Sequence, residues 1–176
     1  MSQSVNLYQI SKKNFEEFSN NHESFDFNFS ENNSSIFDQN FEGLLYLFST
    51  YYDQQLPESL EKLFFPKDFI GKDIDFNEID FDNIEDFPES TSISFINPTT
   101  ISEVNTFLHT IENDKILASY NADDFNLNNI YPGVWHNDES EDQAFNKRHL
   151  AEGLQLLKET ISQASNNENY ILFFGN

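Results

Sequence analysis

The chain has 176 residues, the length of one ordinary domain, and 31 acids against nine bases give it a formal net charge of −22. That balance argues against direct contact with DNA, RNA or anionic membrane surfaces, whose phosphates repel it, and favours a basic protein partner. There is no cysteine, so disulfides, thiol nucleophiles and Cys-based metal sites are excluded.

Twenty Phe and seven Tyr supply bulky apolar side chains for a core, despite an overall hydrophobic content of only 38%. Disordered chains are poor in aromatics, so the composition reads as folded, with solvated acidic loops. Met1 to Val5 lack a basic region followed by an apolar stretch, as a signal peptide would need. No run approaches the roughly 18 apolar residues that span a bilayer. The expected location is therefore cytoplasmic.

In chain order, the apolar positions of Val5 to Ile10 predict a strand. Ser11 reads as the N-cap of a short helix through Asn14, Phe15 and Phe18. Asn20 to Asn40 is polar, with Phe25, Phe27 and Phe29 alternating, and reads as an edge strand or a mobile loop. Phe41, Leu44, Leu45 and Phe48 fall at helical spacing and predict a core helix to Tyr52. Pro57 opens another short helix, stopped at Phe64-Phe65-Pro66.

Asp68 to Glu89 is the most biased stretch. It carries Asp68, Asp73, Asp75, Glu78, Asp80, Asp82, Glu85, Asp86 and Glu89 against one base, Lys72. Ile74, Phe76, Ile79, Phe81, Ile84 and Phe87 are interleaved with the acids. The expectation is an ordered loop or edge element pinned by its aromatics, with carboxylates facing water.

Ser92 to Ile96 predicts a strand closed by Asn97-Pro98. Thr100-Ile101-Ser102-Glu103 reads as a capping box for a helix with Ile101, Val104, Leu108 and Ile111 on its apolar face. A second helical piece runs through Ile116, Leu117 and Tyr120 to near Asn121, and Ala122 to Asn129 reads as a short turn or helix. Glu141 to Asn166 is the longest helical pattern, with Phe145, Leu150, Leu154, Leu157 and Ile161 as its stripe. Tyr170 to Phe174 predicts a buried final strand. With no repeat and no linker, residues 1–176 form one domain of α+β class, a small mixed or antiparallel sheet packed against several helices.

Few motifs carry chemistry. The five glycines form no phosphate-cradling loop, and no GxSxG or HExxH pattern occurs. His22, His109, His136 and His149 read as ordinary packed or solvated histidines. Asp73-Ile74-Asp75-Phe76-Asn77 opens like a calcium loop but has Glu78 where the sharp turn needs glycine, and Asn83-Ile84 where the bidentate acid is needed. No cofactor or metal is expected. Ile130-Tyr131-Pro132-Gly133-Val134-Trp135 predicts a type II turn with Gly133 at positive φ and Trp135 in the core.

Three segments resemble the YfbM-like family of bacterial proteins. They are Val5-Asn6-Leu7-Tyr8-Gln9-Ile10-Ser11, the apolar helix Phe41-Glu42-Gly43-Leu44-Leu45-Tyr46-Leu47-Phe48, and the turn Asn129-Ile130-Tyr131-Pro132-Gly133-Val134-Trp135. The Asp68–Glu89 stretch departs from the family, where that loop is less acidic. The resemblance implies a compact α+β fold and carries no catalytic residues. It also implies an association with immunity proteins that neutralise polymorphic toxins, including type VI and Rhs effectors.

The expected function is that of an immunity protein, not an enzyme. It would bind a basic toxin domain through Asp73, Asp75, Asp80, Asp82, Glu85 and Asp86, with Phe76 and Phe81 as apolar anchors. The alternatives are a housekeeping binding module, or an enzyme with a site near the Tyr131–His136 turn.

Overall fold

The computed structural model describes residues 4–22, 25–30, 32–72 and 92–175. Five strands form one antiparallel sheet: β1 (Ser4–Ile10), β2 (Ser34–Asp38), β3 (Asp68–Ile70), β4 (Ile93–Ile96) and β5 (Tyr170–Gly175), in the order β2-β1-β5-β4-β3. Side-chain alternation divides β1 between two cores. Val5 and Leu7 face the larger one, Tyr8 and Ile10 the smaller. β5 splits the same way, with Ile171 and Phe173 on one face and Tyr170, Leu172 and Phe174 on the other.

Seven helices occur among the described residues: α1 (Lys12–Asn20), α2 (Phe41–Tyr51), α3 (Glu58–Phe64), α4 (Pro98–Thr110), α5 (Asn113–Leu117), α6 (Ala122–Leu127) and α7 (Lys147–Asn166). The larger core lies between the sheet and a layer built on α2, α3, α4 and α7. Leu44, Leu47, Phe48, Ile101, Leu108, Leu150, Leu154 and Leu157 are all buried there. The opposite face is covered by α1 and the extended segment Phe25 to Ser30. Phe15 stacks on Tyr170 with centroids 3.8 Å apart, and Phe18 meets Phe25 and Phe27 edge-on.

Several local expectations shift. The strand of the Asn20–Asn40 region is Ser34–Asp38; the Phe25, Phe27 and Phe29 rings instead lie over the sheet without joining it. Helix α4 starts earlier than the capping box suggested. Asn97 is its N-cap, accepting from the Thr100 amide at 3.0 Å, and Pro98 takes the first helical position, where its missing N–H costs nothing. Helix α7 starts at Lys147, not near Glu141. Asn146 caps it, and Phe145 stands just outside at φ 53°. A run of acids before a cap resembles a helical first turn in sequence, which is why the boundary was misplaced.

Candidate functional site

The residues predicted to bind a partner, Asp73, Asp75, Phe76, Asp80, Phe81, Asp82, Glu85 and Asp86, lie outside the described residues, as does the calcium-like run Asp73 to Asn77. What is described is the base of that stretch. It leaves after β3 and returns at β4, and these strands pair antiparallel with Ile70 opposite Ile93. The two ends are thus held side by side at one edge of the sheet.

Around this base the surface is mixed apolar and charged. Phe65 and Phe69 are 55% and 52% exposed, large values for aromatic side chains. A half-open cavity of about 500 Å³ lies between the end of α3 and the β4–α4 connection, with Leu56, Phe65 and Ile96 among its lining and Glu61, Lys62 and Lys67 beside them. Lys62 Nζ reaches Glu103 at 2.9 Å and Glu58 at 3.1 Å, and these carboxylates raise its pKa. A second, more polar cavity lies between the start of α1, at its cap Ser11 and Lys12, and the start of α4, at its cap Asn97, Pro98 and Thr99.

The Tyr131–His136 turn is built differently from the prediction. The Tyr131–Pro132 bond is cis, and the Gly133 amide donates to the Ile130 carbonyl at 2.8 Å, so residues 130–133 form a type VI turn. Gly133 keeps the expected positive φ, at 75°. Trp135 is buried, and its Nε1 donates to the Ile130 carbonyl at 2.9 Å. Asn126 clamps the Trp135 backbone from both sides, its Oδ1 accepting from the amide at 2.8 Å and its Nδ2 donating to the carbonyl at 2.9 Å. Tyr120 donates to the His136 carbonyl at 2.8 Å, and burial pushes its hydroxyl pKa up to about 12. The His136 amide donates to Phe145. These bonds tie the turn to α6 and to the lead-in of α7, which is an anchoring role.

Asn146 was not singled out in sequence, yet it is fully buried. Its Nδ2 donates to the Asp138 and Gln143 carbonyls, each at 2.8 Å, while its Oδ1 accepts from the His149 amide. His149 is half-buried against Phe145, and desolvation lowers its pKa, opposed by the charge of Glu152. Among the described residues, no group of three or more His, Asp or Glu side chains is arranged to hold a metal ion. No described helix is long and apolar enough to cross a membrane.

The sequence also missed the opposite edge of the sheet. Ile36 of β2 is 60% exposed, and Phe29, on the same face of the sheet, is 47% exposed. The adjacent pair Ile36-Phe37 in Ser34–Asp38 shows no alternation, and the stronger periodicity of Phe25, Phe27 and Phe29 masked it.

Comparison with known proteins places these features in a family. A family described as a domain of unknown function (DUF1877) matches residues 1–174. Among solved structures, the chain is similar to a protein of unknown function, YfbM, from Escherichia coli. That likeness has 13% identity and a TM-score of 0.54, and covers 99% of each chain. At that identity it carries the fold alone. No curated protein matches the chain.

Proposed function

The chain belongs to the DUF1877 family, and on that premise we propose that this member is an immunity protein that binds and neutralises a basic toxin domain in the cytoplasm. The observation that carries the reading is the net charge of −22, to which Asp68 to Glu89 contributes nine acids against one base with aromatics interleaved. Acids there would draw in a basic active-site cleft from a distance, and interleaved aromatics would supply contacts that last. Asp73, Asp75, Asp80, Asp82, Glu85 and Asp86 are the attracting groups, and Phe76 and Phe81 the anchors. The exposed Phe65 and Phe69 at the base of the stretch extend the apolar surface available to the same partner.

Occlusion of the toxin's cleft requires no catalysis by this chain. The test is co-expression with a basic toxin domain, sought in the product of the neighbouring gene. The wild-type chain is expected to co-purify with it and restore growth. Reversing the six acids to lysine should abolish both effects. Survival and co-purification unchanged by the reversal would remove the acidic stretch from the account. A neighbouring product that does not bind would remove the immunity role itself.

A further inference from the structure

The two edges of the sheet are defended unequally. β3 is three residues long, preceded by Pro66 and Lys67 and carrying Asp68, all features that blunt an edge against strand pairing. β2 is five residues long and contains neither Lys nor Pro, and its outer side meets no other strand among the described residues.

The register shows which backbone groups of β2 face outward. The Gln9 amide donates to the Asn33 carbonyl at 2.7 Å, and the ladder continues with Leu7 opposite Ser35 and Val5 opposite Phe37. In an antiparallel pair hydrogen-bonded and non-bonded positions alternate. Ser35 and Phe37 therefore bond inward to β1. Ser34, Ile36 and Asp38 turn their N–H and C=O groups away from the sheet. Ile36 sits at the centre of this open row. Its side chain projects on the face where Phe29 packs on Tyr8 at 4.9 Å and on Phe174 at 5.4 Å. Among the described residues, the edge thus combines outward backbone groups without a strand partner and the exposed side chain of Ile36, on the same sheet face as Phe29.

We propose that the β2 edge is a docking surface for an extended, basic segment of a protein partner, which adds to the sheet as a sixth strand beside Ser34–Asp38. The occupant is extended because outward groups at alternate residues match a strand and no other element. It is basic because Asp38 ends the edge, Asp26 is exposed in the segment that carries Phe29, and the whole molecule is strongly acidic. The same charge argues against a second copy, since two chains of −22 repel. An apolar side chain of the added strand would cover the exposed Ile36. This surface lies at the opposite sheet edge from the base of the acidic stretch and shares no residue with it.

The probe is a seven-residue peptide of alternating lysine and valine, titrated into the full chain while amide hydrogen exchange is read residue by residue. The Ile36 and Asp38 amides are expected to slow by tenfold or more on saturation. A peptide of equal charge with proline at its centre should leave them unchanged. Ile36→Pro keeps the bonds to β1, because its N–H faces outward, and should weaken binding at least tenfold. Ile36→Lys, which keeps every backbone donor, should weaken it through charge. A chain with the six acids of 73–86 reversed should still protect both amides, which separates this surface from the proposed toxin-binding stretch. Four results would each overturn the proposal: exchange at Ile36 and Asp38 unaffected by the peptide, equal protection by the proline peptide, affinity unaltered in both Ile36 variants, or a homodimer that protects these amides without peptide.

Discussion

Gly153 sits in the middle of α7, where alanine would ordinarily stabilise a helix by about 1 kcal/mol. Here the balance reverses. A β-carbon at Gly153 would stand 2.6 Å from Asn40 Nδ2, and Asn40 is itself buried, so its amide has little room to swing aside. Overpacking of this kind costs about 1–3 kcal/mol, which outweighs the propensity gain. Gly153→Ala is expected to lower stability by about 1 kcal/mol in urea denaturation, where an unconstrained helix would show a rise. His149 supplies a pH dependence. Burial lowers its folded-state pKa below the ordinary 6.5, so the fold prefers neutral imidazole. Above the unfolded value both states are neutral and this contribution is intact. As the pH falls through 6.5 the unfolded chain takes up the proton first, and stability is lost down to the folded-state value. Asp38 and Glu152 oppose the shift, and Arg148 reinforces it. The denaturation midpoint should fall less between the upper and the lower side of that window in His149→Gln than in the wild type.

At the scale of elements, Asn146 joins three pieces of chain with one amide: the loop after Trp135, the residues before α7 and the first turn of α7 itself. Truncation removes the Nδ2 donor from both carbonyls, leaving that of Gln143 only the longer contact from Arg148 at 3.4 Å, and uncaps the helix. Asn146→Ala is therefore expected to cost about 2–4 kcal/mol, with loss of protection at the start of α7 in hydrogen exchange. A loss below about 0.5 kcal/mol would mean that water replaces the amide. The same position marks the limit of the sequence reading. β1, α2, β4 and β5 were legible because periodicities of two and 3.6 dominate their sequences. The caps at Asn97 and Asn146 were not, since asparagine is common throughout the chain and only tertiary contact selects the one that caps. The Phe25–Phe29 alternation had the period of a strand, but the aromatics are fixed by packing on Tyr8 and Phe174 instead of by a ladder. Of the candidate site, charge and aromatic content were legible. The pairing of β3 with β4, which brings the ends of the acidic stretch together, and the open edge of β2 were not, because both are properties of strand order.

The whole molecule carries its charge in excess, and that excess acts on folding and on association in opposite directions. Self-repulsion among acids destabilises the compact state, and salt screens it over about 10 Å at 0.1 M ionic strength. Attraction to a basic partner is screened by the same ions. The account therefore centres on a surface whose encounter rate falls with salt and depends on six named carboxylates. The most direct test is the association rate with the proposed basic toxin partner, once isolated, at low and high salt, for the wild type and for the chain with Asp73, Asp75, Asp80, Asp82, Glu85 and Asp86 reversed. The wild-type rate should fall by about tenfold or more as salt rises, and the reversed chain should associate slowly at both. A wild-type rate that is insensitive to salt, or a reversed chain that associates as fast as the wild type, would contradict the claim that this acidic stretch recognises the partner.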